Sequence, residues 1–234
     1  MAMQERAEQT RRALIGAAAH AFDQVGYERS SLVRISEAAG VSKGALSFHF
    51  ASKDELADAV QGSAHDAART VVDDVCRRPG PALQSVIDIT HALAVLLETD
   101  AVCRASARLA RERTATAADA HHWNAAWAQP VRHLLHHARD DRSLFPGANV
   151  HTVAVLVAYL MAGVETTVRD HWVLAALVPQ HGDEPPEPPR AWLTRIWELV
   201  LPEVAAVDHL PRLRAGGPRE RDPLCPLGQP FQER

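Results

Sequence analysis

Apolar residues recur at three- and four-residue intervals along most of this chain. Leu14, Ile15, Ala18, Ala19 and Phe22 make one such stripe and predict a first helix over about 7–25, which Gly26 ends. Leu32, Ile35 and Ala39 share the inward face of a short second helix. Further helices are predicted over about 52–77, 82–98, 101–112, 117–139, 149–176 and 189–207. They are separated by Arg78-Pro79-Gly80-Pro81, Thr99-Asp100, a break near Arg113 to Thr116, Phe145-Pro146-Gly147 and the stretch 178–189. Leu83, Ile87, Ala94 and Leu97 form one inward stripe; Val153, Leu156, Val157, Leu160 and Val164 form another. The helix at 149–176 is apolar around most of its circumference, and 189–207 carries Trp192, Leu193, Ile196, Trp197 and Leu199. Helices of that kind need burial on more than one side, so a second copy of the chain is the expected cover. The fold class expected is all-α.

The stretch 30–53, SSLVRISEAAGVSKGALSFHFASK, has a different grammar. Gly40 stands where the second helix must turn, and Val41 can plug the corner. Ser42 is a natural N-cap for a third helix over 42–48, with Leu46 as its anchor. Lys43, Gly44, Ala45 and Ser47 are left on or near the open face. Two short helices about a glycine turn make a helix-turn-helix, whose second helix enters the DNA major groove. A lysine in its first turn meets base edges there, and small neighbours let the backbone approach. Ser31, His49 and Lys53 flank the helix, where side chains hold phosphates. Ser52 and Glu55 have the capping-box spacing for the next helix, and a phosphate would relieve Lys53 at its dipole-positive end.

GVSKGALSFHFASKDEL resembles the recognition helix of tetracycline-repressor-type (TetR) regulators. RAEQTR, FDQVGYERSS and the FHF triplet are most similar to the γ-butyrolactone autoregulator receptor branch. The family usually has a DNA-touching tyrosine where this chain has Ser47, which reaches less far and stacks on nothing, so a change in operator affinity or in sequence preference is expected. The resemblance implies an N-terminal DNA-binding domain at 1–53, a helical effector and dimerisation domain at 54–210, and a palindromic operator in double-stranded DNA. Residues 211–234, with five prolines and three glycines, are expected to be a disordered tail.

Composition modifies this picture only slightly. The formal charge is −4, the reverse of what a DNA binder suggests. Within residues 1–53, however, seven basic residues (Arg6, Arg11, Arg12, Arg29, Arg34, Lys43, Lys53) meet five acidic ones, a local +2. Only the docking face has to be basic. Arg6, Arg11 and Arg12 lie near the start of the first helix, where they either reach flanking phosphates or stay solvated. Cys76, Cys103 and Cys225 have no metal-like spacing, and such sparse cysteines suit a reducing cytoplasm. No apolar run approaches bilayer length and no signal core opens the chain, so a cytoplasmic protein with no membrane partner is expected.

The sequence offers no glycine-rich phosphate loop, GxSxG elbow or HExxH, and neither an enzyme nor a cofactor is expected. His133 and His137 have zinc-compatible spacing, with His136 adjacent and His121-His122 upstream, but no further ligands complete a set. Trp127 is the better candidate for the wall of a small-molecule pocket and Trp123 the reserve, each offering a flat apolar face and one N–H donor. The branch has a tryptophan at a place similar to Trp127, which implies a γ-butyrolactone-like effector. The expected function is a homodimeric repressor of antibiotic or secondary-metabolite genes, released by that effector. The alternatives are a pseudo-receptor sensing an antibiotic or intermediate, and a helical enzyme or metal-binding bundle with a relict DNA head.

Overall fold

The computed structural model describes residues 2–113, 123–170, 172–177 and 187–218. It contains α1 (Ala2–Arg29), α2 (Leu32–Ala38), α3 (Lys43–His49), α4 (Lys53–Cys76) and α5 (Ala82–Thr99). These are followed by α6 (Ala101–Glu112), α7 (Trp123–Asp140), α8 (Val150–Arg169), α9 (Trp172–Leu177) and α10 (Pro189–Val204), then a 3-10 turn at Leu210–Arg212. Among the described residues there is no strand, only a single antiparallel bridge between Leu144 and Ala205.

Several helix ends follow directly from their sequence. Asp100 caps α6 by accepting the Val102 N–H, and Asn149 caps α8 by accepting those of His151 and Thr152. Gly26 breaks the first helix as expected, at φ 83 and ψ 174, although helical residues resume beyond it as far as Arg29. Other ends differ from expectation. The long helix expected at 149–176 is two, because Asp170 leaves the helical region at φ −127, ψ 87. The last helix ends at Val204, where Ala205 turns extended to pair with Leu144.

The described residues form two compact units, one from 1–69 with 99–126 and the other from 70–98 with 127–234. In the first, α6 lies along α1. Ala105 and Leu109 of α6 join Leu14, Ile15, Ala18, Phe22, Ile35, Leu46, Phe50 and Leu56 in one buried cluster. This unit thus runs past residue 53 and takes in a second segment of chain.

In the second unit α5 is buried on nearly every side, polar positions included. Gln84, Asp88, Thr90 and His91 are all inside, and each has a partner. A buried amide without one would cost about 1–3 kcal/mol. Residues 213–217 supply part of that pairing. The Arg214 N–H donates to Gln84 Oε1 at 2.7 Å, and His91 Nε2 lies 2.7 Å from the Ala215 carbonyl. The stretch read as a loose tail from Pro211 is therefore docked as far as Pro218; Cys225 lies outside the described residues.

α8 behaves in the opposite way. Tyr159 is 73% exposed, and Leu199 of α10 is 77% exposed. Contrary to the sequence reading, α5 and α8 are both long and apolar enough to cross a bilayer by length and composition alone. α5 owes its apolarity to being a core helix, whereas α8 presents a bare face.

Candidate nucleic-acid interface and effector pocket

The turn between α2 and α3 is built from backbone. The Gly40 N–H donates to the Glu37 carbonyl and the Val41 N–H to that of Ser36, both at 3.0 Å. That is the paired closure of a Schellman motif, which needs a left-handed residue at its apex. Gly40 supplies it at φ 67. Ser42 then caps α3 by accepting the Ala45 N–H at 3.1 Å.

Leu46 is buried in the common core and fixes the rotation of α3. That rotation leaves Lys43, Gly44 and Ser47 exposed and Ala45 half-buried, with no acidic side chain on the helix. A Cβ added at Gly44 would meet nothing nearer than Ser42 Oγ at 3.8 Å. The face is open, small and singly cationic, the profile of a helix that lets its backbone approach a groove. Ser31 precedes α2, and its hydroxyl caps nothing. His49 is half-buried at the end of α3, 5.3 Å edge-on from Phe48. Phe48 itself is 82% exposed. It ends the segment 42–48 expected in the groove but is not among the DNA-binding residues expected from the sequence; its signal there is an aromatic one residue beyond the small positions of an outward face.

Lys53 is engaged within the protein. Its Nζ donates to the Tyr27 carbonyl at 2.9 Å and the Ser30 carbonyl at 3.5 Å, and it sits 4.2 Å above the Tyr27 ring. The relief expected from a phosphate at the start of α4 is supplied by these groups, with Asp54 and Glu55 in the same turn. The capping pair is present: Ser52 Oγ accepts the Glu55 N–H, and Glu55 reaches back to the Ala51 N–H. Tyr27 packs on Phe22 with ring centroids 5.8 Å apart, and its hydroxyl donates to Asp54 at 2.7 Å. Burial first, then the Asp54 carboxylate, push the phenol up to about 12. Arg11 lies 5.3 Å over the Phe50 ring, and Arg12 pairs with Glu8 on the exposed side of α1.

Trp127 belongs to the second unit and is buried, its indole N–H without an acceptor among the described residues. Trp197, in the same unit, is the contrast: its N–H donates to Thr90 Oγ1 at 3.0 Å. A core tryptophan normally finds such a partner. Trp123, in the first unit, is wholly buried with an equally unpaired N–H.

Among the described residues the histidines do not assemble. His133, His136 and His137 are exposed on α7, and His136 makes only an edge contact to His151 at 6.4 Å. Among the described residues no group of three or more His, Cys, Asp or Glu could hold a metal. His121 and His122 lie outside the described residues.

Comparison with known proteins bears on both halves. The profile of bacterial regulatory proteins of the tetR family matches residues 14–60, from the middle of α1 into the first turns of α4. The A-factor receptor protein of Streptomyces griseus is 30% identical over 205 residues, covering 88% of this chain and 67% of that protein. A crystal structure of a γ-butyrolactone receptor, an ArpA-like protein, superposes with a TM-score of 0.72 at 28% identity, covering 88% of this chain and 94% of the other. The TetR family protein CprB from Streptomyces coelicolor, in complex with its operator sequence, gives a TM-score of 0.65 at 29% identity, over 88% of this chain and 94% of CprB.

Proposed function

We propose that this chain, which belongs to the TetR family of bacterial regulatory proteins and to its γ-butyrolactone-receptor branch, represses transcription as a homodimer on a two-fold operator and lets go when a γ-butyrolactone-like effector binds at Trp127. The observation that carries the reading is α3: serine-capped, anchored by Leu46, and outwardly bare except for Lys43 and Phe48. Ser42, Lys43, Gly44, Ala45 and Ser47 face the groove, while Ser31, His49 and Lys53 lie alongside the phosphates. Lys53 still has one ammonium hydrogen beyond its two carbonyl contacts. Residues 1–53 do the DNA work, and 54–210 hold the effector and the dimer face.

Two observations support the remaining parts. Val155 and Tyr159 of α8, with Ile196 and Leu199 of α10, form bare apolar faces suited to a second copy. The unpaired N–H of buried Trp127 suits a ligand bringing an acceptor oxygen on an apolar body. By linkage, that ligand releases DNA only as far as it binds the released conformation more tightly than the operator-bound one. The targets are antibiotic or secondary-metabolite genes, reached in the cytoplasm.

The test begins with footprinting of the purified protein on genomic fragments of its source. The sites recovered are expected to be palindromes with half-sites a helical turn or a multiple apart. Titration of one such site with synthetic 2-acyl-γ-butyrolactones should then dissociate it. Binding without sequence preference would remove the repressor reading. Sequence-selective binding indifferent to every lactone would remove only the effector class.

A further inference from the structure

The Gly26 kink opens α1 at one specific hydrogen bond. In an unbroken helix the Tyr27 N–H would pair with the Asp23 carbonyl. Here the Tyr27 N–H donates to Glu112 Oε2 at 2.7 Å, and the Asp23 carbonyl accepts from Arg108 Nη1 at 2.7 Å. Both partners come from the last turns of α6, and Arg108 Nε binds Glu112 Oε1 at 2.6 Å. The ion pair occupies the notch the glycine leaves. A Cβ at Gly26 would stand 2.6 Å from Arg108 Nη2 and 2.8 Å from the Glu112 carboxylate. Arg104, one turn earlier, pairs with the Asp23 carboxylate at 2.8 Å.

The notch is also the mount of the helix-turn-helix. Tyr27 to Ser31 lead straight into α2, and the Ser30 N–H and Oγ both donate to the Tyr27 carbonyl. Next to Glu112, Arg113 reaches α4 through Asp58 at 2.7 Å, Gln61 at 2.9 Å and Asp54 at 3.2 Å, and lies 5.4 Å over the Tyr27 ring. Tyr27 is thereby held at its N–H, carbonyl, hydroxyl and ring by α6 and α4 together. Exposed ion pairs contribute little, but the Arg108 and Glu112 side chains are only 21% and 31% exposed, and two of these bonds replace a severed backbone bond.

We infer that Arg108 and Glu112 are positioning residues for operator binding: seated in the Gly26 notch, they fix the attitude of α2 and α3 without touching DNA. The inference rests on the repressor reading above. It is distinct from the Lys43 and phosphate contacts, which act on DNA directly.

The test is equilibrium binding of the full chain to its footprinted site across a salt series, each variant first shown folded by circular dichroism. Glu112→Ala and Arg108→Met are each expected to weaken binding about tenfold, with the slope of log affinity against log salt unchanged because every phosphate contact remains. The double variant should lose little more than the worse single, since the pair acts as one unit. Glu112→Gln keeps an acceptor for the Tyr27 N–H and should recover most of the affinity. Should Glu112→Ala fail to fold, Arg108→Met and Glu112→Gln carry the same comparison. Unchanged affinity in the variants, while the wild type binds selectively, overturns the inference alone. So does a slope lowered by about one unit, which would mark a lost phosphate contact. A wild type that binds no site selectively removes the repressor reading and this inference with it.

Discussion

Lys43 and Gly40 show how differently two neighbouring residues can matter. Lys43 is exposed in the first turn of α3 and holds nothing in the fold, so its loss should cost function and not stability. Lys43→Ala is expected to lower affinity for the cognate site by at least about tenfold and to relax preference at one base pair, read by titrating single-base operator variants. Gly40 is the reverse. Nothing lies within 4 Å of where its Cβ would be, so the penalty for a side chain is torsional, from φ 67. Gly40→Ala should therefore cost about 1–2 kcal/mol, measured by thermal or denaturant unfolding.

Asp141 adds a pH dependence. Burial raises its carboxyl, but hydrogen bonds from Ser143 and the Ala82 N–H, with the nearby charge of His137, outweigh that and hold it below the usual carboxylate range. A carboxyl more acidic in the folded than in the unfolded chain contributes stability above its unfolded pKa. That contribution is lost as the pH falls through the folded value. Asp141→Asn should flatten the acid limb of the stability curve below about pH 4 and leave the neutral region less stable, as shown by melting across a pH series.

At this scale much was legible. Ser42, Gly40 and Leu46 sit where local rules put them, because capping and turn geometry depend on immediate neighbours. The engagement of Lys53 with Tyr27 was not, since its partner lies 26 residues away.

Among the elements, α5 and α8 exchange the roles their patterns suggest. α5 reads as one-sided, with polar Gln84, Asp88 and His91 between its apolar positions, yet it is the buried axis of its unit. Its N-terminus follows Pro81 and finds no local cap. Asp141 accepts the Ala82 N–H at 2.7 Å and Ser143 Oγ that of Leu83 at 3.2 Å, a tertiary cap that periodicity does not reveal. α8 is apolar nearly all round, yet Val155 and Tyr159 are exposed. Hydrophobic pattern reports that burial is needed and is silent on which chain provides it. Tyr159→Arg with Leu199→Arg places charge on both bare faces. Sedimentation should find the wild type as a dimer and this double variant as a monomer that has lost its operator. A wild type that sediments as a monomer would refute the assignment of these faces.

For the molecule as a whole, the helical class was readable from the spacing of apolar residues, and the DNA-reading segment from its turn chemistry. The composition of the first unit was not. Ala105 and Leu109 join a core set by Leu14 and Phe22, and no local rule links positions so far apart. Trp127, the proposed effector contact, belongs to this scale. Trp127→Phe removes the unpaired N–H while keeping an aromatic wall. It should leave operator affinity intact and raise the lactone concentration needed for dissociation about tenfold or more, measured by competition on a fluorescent operator. Equal release by wild type and variant would move the effector elsewhere.

The segment at 213–217 sets a limit on where this gene can be cut short. A stop codon just before Arg214 would strip Gln84 and His91 of their backbone partners and uncover the floor of the second unit, whereas one placed after Pro218 would leave each of those bonds intact. Nonsense alleles upstream of Arg214 should then yield protein that is degraded, as read by its abundance in cells.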